Sequence, residues 1–95
     1  MTTLINTPIL ERIIAQNGGD KQLDVAVEEM AELTKEIIKH KRGKGDPIAI
    51  AEEIADVLIM IEQVKRICNV REDDIDRWLH CKTEYIRGMI GEAGE

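Results

Sequence analysis

Aromatic residues are almost missing from this 95-residue chain, which has no Phe, one Trp and one Tyr. A core of stacked rings is excluded, and apolar packing falls to Ile, Leu, Val, Met and Ala. Cysteine is scarce too. Cys68 and Cys81 do not make the disulfide framework of a small secreted domain and point to a reducing compartment. No apolar run approaches the ~18 residues of a membrane span, and no charged, then apolar, cleavable leader opens the sequence. A cytoplasmic protein without membrane association is expected. Positive charge is in deficit, with 13 Lys and Arg against 19 Asp and Glu and a net charge of −6. A general phosphate-backbone binder needs the opposite balance, so no nucleic-acid partner is expected.

Length leaves room for one domain, residues 1–95. A chain of this size buries only ~60–65% of the surface of its unfolded form, so the core is thin and partner subunits become plausible. Residues 1–7 lack periodicity and read as a flexible arm. Thr7 and Pro8 start a short helix carrying Ile9, Leu10, Ile13 and Ile14, which Asn17-Gly18-Gly19 stops. Asp20 is the expected cap of a second helix to about residue 41, where Leu23, Ala26, Val27, Met30, Leu33 and Ile37 recur at helical spacing. After the turn Arg42-Gly43-Lys44-Gly45, Asp46-Pro47 pairs a capping carboxylate with proline at the first helical position. The third helix runs to about residue 69 with Ile50, Ile54, Val57, Leu58, Ile61, Val64 and Cys68 on its apolar side, Cys68 as a packed thiol. Asp73 or Asp74 is the expected cap of a fourth, carrying Ile75, Trp78, Leu79, Ile86 and Met89, with Trp78 in core or interface packing. Residues 91–95 form a polar, glycine-bearing flexible tail. Nothing alternates as a strand would. The fold class is all-α: an antiparallel helical bundle built on a long helix-turn-helix hairpin, completed by two shorter helices.

Acidic residues carry the functional signal. Glu28-Glu29-x-x-Glu32 lies on the second helix and Glu52-Glu53-x-x-Asp56 on the third. At about 100° per residue, Glu29, Glu32 and Glu36 fall within about 60° of one another and border the apolar stripe. Asp56 shares its stripe with Met60 and Ile67. Carboxylates enclosed in this way cost free energy unless a cation compensates them. In an antiparallel hairpin Glu29 and Glu32 can face Glu53 and Asp56 across one groove. Oxygen-only ligation suits Mg²⁺, or Mn²⁺. The competing reading, in which Lys35, Lys39 or Lys65 neutralises these acids, leaves Asp56 unexplained. A ferritin-like di-iron site is excluded, since neither His40 nor His80 completes a Glu-x-x-His motif.

The pattern Glu28-Glu29-x-x-Glu32, about twenty residues, then Glu53-x-x-Asp56 resembles the signature of the MazG-like all-α nucleoside triphosphate pyrophosphohydrolases, relatives of dimeric dUTPases and dCTP pyrophosphatases. The resemblance covers about residues 20–90. It implies Glu29, Glu32, Glu53 and Asp56 as Mg²⁺ ligands, Glu28 as a water-activating or outer group, and Glu36 and Glu52 as a possible outer shell. The implied reaction is hydrolysis of a nucleoside or deoxynucleoside triphosphate to monophosphate and pyrophosphate. It further implies a homodimer or tetramer, with Lys82 and Arg87 on the last helix against the phosphates. The basic run His40-Lys41-Arg42-Gly43-Lys44 is a rim feature and holds no P-loop. The near-absence of aromatics leaves the base open, with Gln16, Asn17 or a partner subunit as sources of polar contacts. The alternative is a non-catalytic oligomerisation or regulatory module of the same fold.

Overall fold

A computed structural model describes residues 5–91 of the chain. It contains four helices, α1 (Thr7–Asn17), α2 (Gly19–Lys41), α3 (Pro47–Ile67) and α4 (Glu72–Met89), and no strand among the described residues. The all-α expectation holds.

Local chemistry sets the helix starts. Asp46 Oδ1 accepts from the Ile48 N–H at 3.0 Å, with Pro47 opening α3 as expected. The first helix is capped one residue earlier than expected: Asn6 Oδ1 accepts from the Ile9 N–H at 3.2 Å, and Thr7 lies inside the helix. The ordered chain therefore reaches into the stretch assigned to a flexible arm; residues 1–4 of that arm, and 92–95 of the tail, lie outside the described residues. Asp20 is not a cap. Gly18, at φ +92°, holds the cap position of α2 and ends α1 by donating its N–H to the Ile14 carbonyl at 2.8 Å. Asp20 instead places a carboxylate in the first turn of α2. Asp73 and Asp74 do the same in α4, whose cap position is Arg71.

The hairpin α2–α3 carries most of the packing, and α1 lies against both helices. At its tip the Lys44 N–H donates to the Lys39 carbonyl at 3.0 Å. Gly45 passes so near that a Cβ there would lie 2.6 Å from His40 Cα. At the opposite end Arg66 joins Glu11 of α1 at 3.4 Å. Lys65 pairs with Glu62 at 2.7 Å and with Glu72 at the start of α4, pinning the corner between α3 and α4.

Several expectations about burial are corrected. Buried apolar side chains among the described residues are only Leu10, Ala26 and Met60. The expected apolar side of α3 divides: Ile50, Val57 and Val64 are half-buried, Ile54, Leu58 and Ile61 are exposed, and Asp56 shares the inward side with buried Met60 and Gln63. Cys68, expected to be packed, is exposed. The fourth helix does not complete the bundle, because α4 packs on none of the other three. Its Trp78, Leu79, Ile86 and Met89 face solvent, Trp78 at 62% exposure. The radius of gyration is accordingly 16.4 Å, against about 12 Å for a compact chain of this length.

Candidate metal centre

The hairpin brings three of the four signature acids together. Glu29 of α2 and Glu53 and Asp56 of α3 each offer one carboxylate oxygen, all within 4.8 Å of one another. The register follows from helix periodicity. Glu53 and Asp56 are three residues apart and share one side of α3, while Glu29 comes across from the antiparallel helix. Each of the three is half-buried. Glu32, expected as the fourth ligand, is exposed and outside this oxygen cluster. Its charge still acts on both Glu29 and Glu53.

Electrostatics at the cluster are unfavourable. Burial, followed by the charges of Asp56, Glu32 and Glu28 and a side-chain hydrogen bond with Asp56, holds Glu29 above the usual carboxylate range. Glu53 is raised for the same reasons, burial first, then the charges of Asp56, Glu29, Glu32 and Glu52. Its Oε1 is buried and meets no hydrogen-bond donor. None of the three lysines considered for this role neutralises the cluster: Lys39 pairs with Glu36 at 3.4 Å, Lys65 pairs with Glu62 and Glu72, and Lys35 is exposed on α2 and forms no ion pair with the three acids. Three converging carboxylate oxygens, on residues that include the one with the orphaned oxygen, make a set that a hard divalent cation fits.

The remaining expected residues fall into separate places. Glu28 and Glu52 are exposed neighbours whose charges raise Glu29 and Glu53 respectively. Glu36 is only 8% exposed; one oxygen pairs with Lys39 and the other, Oε1, has no partner. Lys82 lies over the Trp78 ring, 5.4 Å from its centroid, and Arg87 pairs with Glu84 at 3.2 Å. Packing within one chain does not carry either cation of α4 to the acids, since α4 packs on no other helix. The Asn17 amide donates to Gln22 Oε1 at 2.9 Å, while Gln16 is exposed.

A buried polar chain escaped the sequence reading. Gln22 and Gln63 are joined by a 2.8 Å hydrogen bond between α2 and α3. The signal was available as a seven-residue repeat: Gln22, Glu29 and Glu36 on one helix, Asp56 and Gln63 on the other. No known protein family, curated protein or solved structure matches this chain.

Proposed function

We propose that the protein is a Mg²⁺-dependent hydrolase that converts a nucleoside or deoxynucleoside triphosphate to its monophosphate and pyrophosphate. The observation that carries the proposal is the oxygen cluster of Glu29, Glu53 and Asp56, in which Glu29 and Glu53 are raised in proton affinity and Glu53 also carries a buried Oε1 without a hydrogen-bond partner. The resemblance of Glu28-Glu29-x-x-Glu32 and Glu53-x-x-Asp56 to the MazG-like pyrophosphohydrolases supplies the reaction. Glu29, Glu53 and Asp56 would hold Mg²⁺, or Mn²⁺, with Glu32 turning in as the fourth ligand. Such an ion neutralises triphosphate oxygens and makes a bound water more acidic.

The chain's own residues have distinct parts in this reading. The carboxylate of Glu28, exposed and next to Glu29, accepts the proton of the attacking water. That water's oxygen bonds to the α-phosphorus as the α–β bridging bond breaks, and pyrophosphate leaves. Glu36 and Glu52 belong to the outer shell, through charge alone at Glu52. Lys82 and Arg87 reach a substrate only if α4 is delivered by another copy. Self-association as a homodimer or tetramer is therefore part of the proposal. It is supported by the exposed apolar sides of α3 and α4 and by a surface of 7586 Å². A compact monomer of this size exposes about 5,500 Å².

The same exposed helix faces favour a second reading, a non-catalytic oligomerisation or regulatory module. Turnover separates the two. With Mg²⁺ and a panel of NTPs and dNTPs, the purified protein should release pyrophosphate, not orthophosphate, and Asp56→Asn or Glu53→Gln should stop it. Absence of turnover on every triphosphate would leave only the module.

A further inference from the structure

Two amides join the long helices two turns away from the carboxylates. Gln22 on α2 and Gln63 on α3 are 4% and 2% exposed. Asn17 Nδ2 donates to Gln22 Oε1, Gln22 Nε2 donates to Gln63 Oε1 at 2.8 Å, and Gln63 Nε2 donates to Met60 Sδ at 3.4 Å. The chain runs in one direction, so displacing one amide orphans a buried donor and a buried acceptor. Buried polar pairs add little net attraction, because each member gives up water to form them. They do discriminate between alignments of two helices, since only one alignment satisfies both.

Spacing links this pair to the acids. Gln22 precedes Glu29 by seven residues, and Gln63 follows Asp56 by seven. Seven residues make about two turns, about 10.5 Å along the axis. The amide pair and the Glu29–Asp56 pair are thus successive rungs of one seam. Sliding α3 by one turn would set Gln22 against Ile59 or Ile67 and leave both amides unpaired. The same slide would set Glu29 against Glu52 or Met60 and dissolve the oxygen cluster. The carboxylates repel one another and cannot choose the alignment themselves.

We propose that Gln22 and Gln63 are positioning residues, whose hydrogen bond sets the register of α3 against α2 and so holds Glu29, Glu53 and Asp56 at ligand spacing before an ion arrives. The consequence for metal rests on the proposed function above; the register itself does not. The replacement Gln22→Met with Gln63→Met keeps side-chain length and volume while removing the hydrogen bond. In a background of Cys68→Ser and Cys81→Ser, nitroxide labels on Asp24→Cys and Ala51→Cys, exposed positions of α2 and α3, report the register by electron–electron dipolar spectroscopy in spin-diluted samples. The double variant should keep its helicity and melting temperature, gain a second distance population displaced by about 5 Å, one helical turn, and bind Mn²⁺ about tenfold more weakly. A single unchanged distance would overturn the proposal. A double variant that does not fold would overturn it too, because the amides would then maintain the fold and not its alignment. If the unsubstituted protein binds no Mn²⁺, the metal reading falls, and the distance distribution still decides the register.

Discussion

Glu29 and Asp56 meet across the α2–α3 hairpin closely enough to share a side-chain hydrogen bond. After burial, the charge of Asp56 is the largest influence holding the Glu29 carboxyl above its ordinary range. Two acids in contact hold a proton between them or exchange it for a cation.

That contact predicts an unusual pH dependence. Glu29 and Glu53 bind a proton more tightly in the folded chain than in the unfolded one. Their stabilising contribution is whole below the unfolded value and is lost as pH rises through the raised folded value. Metal-free protein should therefore melt at higher temperature in mildly acidic buffer than at neutral pH. Excess Mg²⁺ should abolish the difference. Melting curves by circular dichroism, with chelator and with Mg²⁺, check both.

Asp56→Asn separates repulsion from ligation. Without metal it should raise the melting temperature by a few degrees, because it relieves Glu29 and Glu53 of a like charge. It should also lower divalent-ion affinity by roughly tenfold or more, about 1.4 kcal/mol. Calorimetric titration with Mn²⁺ and thermal melts give the two numbers. A variant that loses stability in chelator contradicts the prediction.

Lys65 governs the acid limb. Hydrogen bonds from Lys65, and then from Arg66, hold the Glu62 carboxyl below its usual range. A lowered carboxylate contributes stability above its unfolded value and loses it as pH falls through the folded one. Lys65→Met should remove part of this contribution and speed hydrogen exchange around residues 68–75, where Glu72 loses its partner.

The hairpin tip tolerates no side chain at Gly45. A Cβ would lie 2.6 Å from His40 Cα, which is backbone and cannot swing aside. Gly45→Ala should cost about 1–3 kcal/mol in urea unfolding and leave the amide pair of Gln22 and Gln63 in place.

Delivery of α4 by a neighbouring copy can be tested by mixing two inactive chains. Asp56→Asn lacks an acid cluster but has an intact α4; Lys82→Ala with Arg87→Ala has the reverse. Refolded together as dimers, they should recover up to about a quarter of the unsubstituted rate, since half of random dimers are mixed and each holds one complete site. Recovery of nothing would show that a neighbouring copy does not deliver α4 to the acids, and full activity of the Lys82→Ala, Arg87→Ala chain alone would place both residues outside the reaction.

How much of this was legible in the sequence depended on the range of the interaction. Asp46 and Pro47 act on their own first turn, so the start of α3 could be read directly. Glu53 and Asp56 fall on one side of α3 by periodicity alone, and an antiparallel hairpin brings Glu29 to them. The enclosed stripe of Asp56, Met60 and Ile67 was readable, but the limit of the inward side of α3 was not. Ile54, Leu58 and Ile61 form an apolar stripe as regular as any core stripe, and periodicity does not distinguish a stripe meant for another helix of the chain from one left open. Gln22 and Gln63 look like surface residues until their partners are known, 41 residues apart. Glu32 matches the acidic pattern yet stands apart from the cluster, because spacing specifies a face and not a rotamer.

The helix that packs against no other helix of its own chain has a thermodynamic consequence. For a chain whose α4 finds cover only on another copy, folding is a reaction of higher order than one. Its melting temperature should climb with protein concentration, and its specific activity should fall on dilution below the dissociation constant of the assembly. The amount of protein in the tube then acts as an effector of the protein itself.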